Sequence, residues 1–221
     1  MNKKIENVVL NQIINQHLKP YIKQIDEKAY YPKEFLNAVG KAGFFSSNFL
    51  QKEDVRCREI YIIEETAKYC MTSAFTLWFH LAALASFRLS NNPFINNQLL
   101  PLFESGDILA GTGLSNAIKY YAGLDRIRLK AKRSDGGYMI SGSLPNVSNL
   151  DYDHWFVILA SLNENQRIIC SLPVNVEGLI LESKTNYIGL NGSATYACFL
   201  SKFKPNNNAI RSTLLAFQPY F

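Results

Sequence analysis

The sequence predicts an α+β protein: an N-terminal all-α bundle over residues 1–106 followed by a small antiparallel β-barrel-like domain over residues 107–205. Two observations carry this. Apolar residues recur at intervals of three and four up to Gly106, and from Asp107 onward they alternate with polar ones between turn signals. The composition allows a packed core, since 48% of the 221 residues are apolar and only 19% are charged, with 12 Gly and 8 Pro. Residues 206–221 then read as the opening of a C-terminal helical domain that is otherwise missing.

In the bundle, Ile5, Val9, Ile13, His17 and Tyr21, with Ile14, Leu18, Ile22 and Ile25, form one apolar stripe of a first helix. Pro32 suits a first helical turn, Phe35, Leu36 and Val39 its inner face, and Gly43 a left-handed stop. A third helix starts with Asp54 as its cap and runs through Tyr61, Ile62 and Ala67. Thr72 or Ser73 caps a fourth, which is apolar nearly all round and so belongs inside the bundle. Pro93 opens a fifth, whose Leu99, Leu100, Leu102 and Phe103 run to Gly106.

The β-domain begins with Ile127, Leu129 and Ala131 alternating with Arg126, Arg128, Lys130 and Lys132, a half-buried strand with a basic outer face. Asp135-Gly136-Gly137 is a hairpin signal, and Tyr138 and Ile140 resume the alternation. Further strands are predicted over His154 to Ala160, Gln166 to Leu172, Leu179 to Lys184 and Thr195 to Phe203, each set off by Asn, Gly or Pro clusters.

Several functions are disfavoured. The net charge of +5 comes from dispersed residues and gives no nucleic-acid footprint. The most apolar run, Ala74 to Phe87, is shorter than the roughly twenty residues that cross a bilayer. Cys57, Cys70, Cys170 and Cys198 show no CxxC pair, and the N-terminus has no secretory h-region, so reduced thiols in a cytoplasmic setting are expected. His80 reads as a core histidine. His154 beside Asp151 and Asp153 has metal-ligand chemistry, but three polar side chains in a turn are commoner without a metal, and no metal is expected.

The order of these parts, with AGTGLSN at Ala110 to Asn116 and GGYMISGSLPNVSN at Gly136 to Asn149, resembles the acyl-CoA dehydrogenase superfamily of flavoproteins. In that family an apolar-Thr-Glu-Pro turn precedes a strand carrying Gly-x-Lys-x-Trp-Ile-Thr-Asn. Here Leu114-Ser115-Asn116-Ala117 stands at the first place and Gly142 to Asn149 at the second, with Asn116 for the Glu, Leu144 for the Lys and Asn146 for the aromatic. The stretch Gly189 to Thr195 before the last strand is also similar.

The resemblance implies an FAD-dependent oxidoreductase that α,β-dehydrogenates an acyl-CoA or another acyl thioester and passes electrons to an electron-transfer flavoprotein. The implied cofactor-binding residues are Leu114, Ser115, Asn146, Val147 and Ser148, with Ser148 at flavin N5. It implies a homo-oligomer at full length and a catalytic carboxylate on the C-terminal bundle. No carboxylate of this chain is assigned that role, and Glu64, Glu65 and Glu104 are expected on solvated helix faces. The chain alone is therefore expected to be inactive. Two other classes stay open: a flavin-dependent monooxygenase of the same superfamily, and a non-catalytic acyl-CoA or flavin-binding or interaction protein.

Overall fold

A computed structural model describes residues 3–48, 50–134, 137–183 and 187–203. Helices occupy the first half: α1 (Lys3–Ile13), α2 (Ile22–Lys28), α3 (Lys33–Lys41), α4 (Lys52–Ala67), α5 (Met71–Arg88) and α6 (Leu100–Glu104). The first helix is not continuous. A π-helical turn at Ile14–Leu18 and a 3₁₀ turn at Lys19–Tyr21 separate α1 from α2, and a second π-helical turn at Ile95–Leu99 precedes α6. In each case a proline, Pro20 or Pro101, follows the π turn by two residues. A proline has no N–H for the preceding turn's carbonyl, and the wider turn accommodates that loss without ending the helical run.

The inner stripe is Leu10, Ile13, Ile14, Leu18 and Ile25, whereas Ile5 is exposed. Pro32 is the N-cap of α3 rather than its first turn, and Phe35, Leu36 and Val39 are fully buried. Gly43 adopts φ 84°, the left-handed stop expected of it. Two caps differ from expectation. Asp54 lies within the first turn of α4, whose N-cap is Gln51, so its charge meets the helix dipole instead of bonding an end N–H. The N-cap of α5 is Cys70, whose sulfur accepts the Ser73 N–H and the Ser73 hydroxyl.

Among the described residues seven strands form one curled sheet: β1 (Ala110–Thr112), β2 (Lys130–Ser134), β3 (Gly137–Val147), β4 (Trp155–Ser161), β5 (Arg167–Pro173), β6 (Leu179–Ser183) and β7 (Tyr196–Phe203). Their order is β1-β4-β2-β3-β7-β6, with β5 on the other edge of β4. Most pairs are antiparallel. The exceptions are β1 with β4, over Ala110–Thr112 against Trp155–Val157, and a single parallel pair of Lys130 with Ser161. Both β1 and β2 thus share one edge of β4, and a short helix α7 (Ser115–Tyr121) lies between them in sequence. Strands β2 and β3 pair antiparallel with Ser134 opposite Gly137; Asp135 and Gly136 of the hairpin signal lie outside the described residues, as do residues 206–221.

The sheet's central strand explains its own sequence. Val157 of β4 packs into the helical core with Ala110, Leu81 and Phe87, while Phe156 and Ile158 pack into a second core with Leu144, Val147 and Cys170. A strand covered on both faces reads as the continuous run WFVILA instead of alternating. Trp155 is half-buried, with its edge toward Phe103 at 6.3 Å. Among the described residues no helix is long and apolar enough to cross a membrane.

Candidate functional site

The two segments singled out in the sequence meet at the end of β1. Thr112 forms an antiparallel bridge with Ser148, just beyond β3. Two glycines permit the approach. A Cβ on Gly111 would stand 2.3 Å from the Ser148 carbonyl oxygen, and one on Gly113 would stand 2.6 Å from Leu144 Cδ1. Strand β3 is irregular where it arrives, with a register shift between Leu144 and Val147 around Pro145, which cannot donate to the ladder. The shift leaves Asn146 exposed and both Val147 and Ser148 buried.

A chain of hydroxyls backs Ser148. Thr195 Oγ1 donates to Ser148 Oγ at 2.7 Å, and Ser193 Oγ lies 2.7 Å from Thr195 Oγ1. With Thr195 donating forward, Ser193 supplies the proton behind it, and the Ser148 hydroxyl keeps its own proton free to donate. Thr195 was legible only as part of a stretch resembling the family; its bond to Ser148 joins positions 47 residues apart.

The five residues expected to hold a cofactor are unequally placed. Val147 and Ser148 are buried, Leu114 is half-buried, and Ser115 and Asn146 are exposed. The Leu114 N–H donates to Thr112 Oγ1 at 3.1 Å and its carbonyl accepts from Ile118 N–H, so its polar backbone is already engaged. Ser115 sits in the first turn of α7. Asn146 Oδ1 accepts from the Tyr187 hydroxyl at 3.4 Å, which sets an aromatic ring beside the position where the resemblance lacks one. Asn116 turns inward: it donates to Asp125 Oδ2 and the Arg126 carbonyl and accepts the Arg128 N–H, thereby shaping the loop into β2.

Asn149 is the residue that sequence reasoning passed over. It is fully buried with φ 65°, a left-handed conformation that Asn tolerates better than most residues. Its Nδ2 donates to the Ala110 carbonyl at 2.7 Å and its Oδ1 accepts from the Tyr31 hydroxyl at 2.5 Å. Its carbonyl accepts from His154 Nδ1 at 2.9 Å. The turn after Ser148 is thereby fastened to β1 and to the loop before α3. Burial holds the Tyr31 hydroxyl well above its usual pKa, so it stays a donor.

His80 is fully buried between α6 and β1, and burial pushes its pKa down to about 3. Glu104 departs from its expected solvated face: its side chain is 10% exposed and accepts from Arg88 Nε and from Ser47. Glu64 is exposed, and Glu65 pairs with Lys68 at 2.5 Å. All four cysteines are free thiols, and burial raises Cys170 and Cys198 to about 12, which makes both inert. A cavity of about 530 Å³ lies between α1 and α4, lined by Glu6, Arg58 and Tyr61, away from both motif segments in the chain.

The fold agrees with known proteins. Over 196 residues, covering 84% of this chain, it is 21% identical to the probable acyl-CoA dehydrogenase FadE25 of Mycobacterium tuberculosis. The butyryl-CoA dehydrogenase of Megasphaera elsdenii superposes over 95% of the chain with a TM-score of 0.78 and 18% identity. The chain has the fold of the acyl-CoA dehydrogenases. A glutaryl-coenzyme A dehydrogenase in complex with glutaryl-CoA superposes over 97% with a TM-score of 0.81 and 16% identity. No family model matches the chain. It spans 50% of the length of FadE25, 58% of the butyryl-CoA and 57% of the glutaryl-CoA enzyme.

Proposed function

We propose that this acyl-CoA dehydrogenase-type chain forms part of an FAD-dependent oxidoreductase that removes two hydrogens from an acyl thioester. The observation that carries this reading is the Thr112–Ser148 bridge, which brings the two family segments side by side and leaves the Ser148 hydroxyl with a proton to give. The residues present suit an isoalloxazine edge, which offers ring nitrogen and carbonyl acceptors. Ser148 would donate to such an acceptor, Ser115 would add a second hydroxyl, and Leu114 and Val147 would keep water from the reacting face.

When bound, FAD supplies the two-electron acceptor for the hydride leaving the substrate β-carbon. Removal of the α-proton requires a carboxylate, and the resemblance assigns it to a C-terminal helical bundle. Glu104 is engaged structurally instead: its Oε1 accepts from Arg88 Nε and from the Ser47 N–H and hydroxyl. Electrons would pass onward to an electron-transfer flavoprotein, and the protein would work in the cytoplasm as a homo-oligomer.

The test is anaerobic titration of the full chain with FAD, followed by an acyl-CoA such as butyryl-CoA. Flavin fluorescence quenched on binding, and weakened in Ser148→Ala, supports the site. No flavin uptake under any condition removes it. In a complete protein, bleaching by the thioester identifies a dehydrogenase, whereas oxygen uptake by reduced flavin without bleaching moves the reaction to the monooxygenases.

A further inference from the structure

We propose that Asp151, Asp153 and His154 form a divalent-metal site for a borderline first-row ion such as zinc, placed beside the turn that carries Asn149. One ligand atom from each of the three lies within 4.8 Å of the others. Acidic clusters are common without a metal, so the carboxylates alone would decide nothing. The deciding atom is His154 Nε2. The residue is 1% exposed, and Nε2 is buried with no hydrogen-bond partner. A buried polar atom left without a partner destabilises the fold, and folds keep few of them without a use.

The other ring nitrogen fixes what Nε2 can do. Nδ1 lies 2.9 Å from the Asn149 carbonyl, which can only accept, so Nδ1 carries the hydrogen and Nε2 presents a lone pair. A histidine donating through one nitrogen to a backbone carbonyl, with its second nitrogen free, is oriented as metal-ligating histidines are. Nearby, Asp153 Oδ1 stands 3.8 Å from Nε2, beyond hydrogen-bond reach. Its Oδ2 is held at 2.7 Å by Lys33 Nζ, which turns Oδ1 toward the ring. Asp151 lies against a cavity of about 240 Å³ that Tyr31 and Thr195 also line.

The ligand type selects the ion. One imidazole nitrogen and two carboxylate oxygens suit zinc and its first-row neighbours, while magnesium and calcium prefer oxygen alone. Ligands of one zinc sit about 2.0–2.2 Å from it, so the three atoms must draw in by roughly 1 Å. Asp153 and its partner Lys33, with side chains 55% and 39% exposed, have room to make that rotation together. Two carboxylates against Lys33 leave a local charge that a divalent cation reverses. A bound ion would cross-link the Asn149 turn, and through Lys33 would tie it to α3.

The experiment is calorimetric titration of the chelator-stripped full chain with zinc chloride, with magnesium chloride in parallel, and thermal unfolding with and without zinc. One zinc per chain is expected, with a raised Tm, no magnesium heat, and affinity at least about ten-fold weaker in Asp153→Asn and Asp151→Asn. Because His154 is buried, His154→Gln is expected to misfold; Asp153 is exposed and Asp151 only half-buried, so their variants keep the test valid. No zinc heat, or binding of unchanged strength in the Asp151→Asn/Asp153→Asn double variant, overturns the site. This outcome is independent of flavin binding, which needs neither aspartate.

Discussion

His80 Nδ1 accepts the Ala110 N–H at 3.1 Å while its Nε2 lies 3.1 Å from the Phe103 carbonyl, so one imidazole joins α5 to both α6 and β1. An N–H can only donate and a carbonyl can only accept, so the ring is held neutral with its hydrogen on Nε2. Protonation would set a second N–H against Ala110. Burial lowers the folded pKa to about 3 against 6.5 unfolded, so the unfolded chain takes up the proton first. Stability is therefore complete above pH 6.5 and falls as pH drops from there toward 3. The slope from this group approaches about 1.4 kcal/mol per pH unit. Urea midpoints measured from pH 7 to pH 4 check the wild type. His80→Leu should lose about 3 kcal/mol at neutral pH and flatten that dependence.

The close approach at β1 predicts unequal costs for two similar substitutions. In Gly111→Ala the new methyl meets the backbone oxygens of Ser148 and Asn149 at 2.3 and 2.9 Å, neither of which can move alone. In Gly113→Ala the nearest atom is the end of the Leu144 side chain, which can rotate. Gly111→Ala should cost about 3 kcal/mol and Gly113→Ala about 1 kcal/mol, read from urea unfolding. Equal costs would mean that the segments are further apart than described.

Local pattern carried most of this architecture, and the exceptions have physical causes. Every strand after Gly137 begins and ends close to its expected bounds, because alternation and turn residues are local signals. Helix α7 was not anticipated: SNAIKYY has no apolar stripe, and its inward side is only Asn116 and Ala117. Asp54 and Ser73 are good capping types, but helix α4 starts earlier, at Lys52, and Cys70 supplies the α5 cap. At the candidate site, the paired segments were visible as motifs. Tyr31 with Asn149 and Thr195 with Ser148 were not, since partners 118 and 47 residues apart leave no mark on local spacing.

Arg88 carries the next prediction. Its side chain is 16% exposed and reaches Glu59 at 2.6 Å, Glu104 at 3.1 Å and the Phe45 carbonyl at 2.5 Å. Two carboxylates on α4 and α6 share this one cation, so removing it breaks both direct ion pairs and leaves the half-buried carboxylates facing only the charge of Arg58. Arg88→Met should destabilise by about 3 kcal/mol, and Glu104→Gln by less, because Glu59 still neutralises the guanidinium. Chemical denaturation of both variants tests the order of these losses.

Ser148→Ala removes the acceptor that Thr195 uses and the proton that Ser148 retains. The first loss costs about 1 kcal/mol of stability. The second, if the hydroxyl meets a flavin, weakens FAD binding about ten-fold, since 1.4 kcal/mol is a factor of ten in an equilibrium constant. Thr195→Val separates the two effects, for it keeps the Ser148 proton and frees only its orientation, so affinity should fall less than in Ser148→Ala. Ser115→Ala supplies a different control. Ser115 is exposed, and its loss should leave stability unchanged within about 0.5 kcal/mol. A lower FAD affinity in that variant therefore reports a contact with the cofactor. Wild-type affinity in both Ser148→Ala and Ser115→Ala, measured by fluorescence quenching, would place the ring away from this turn.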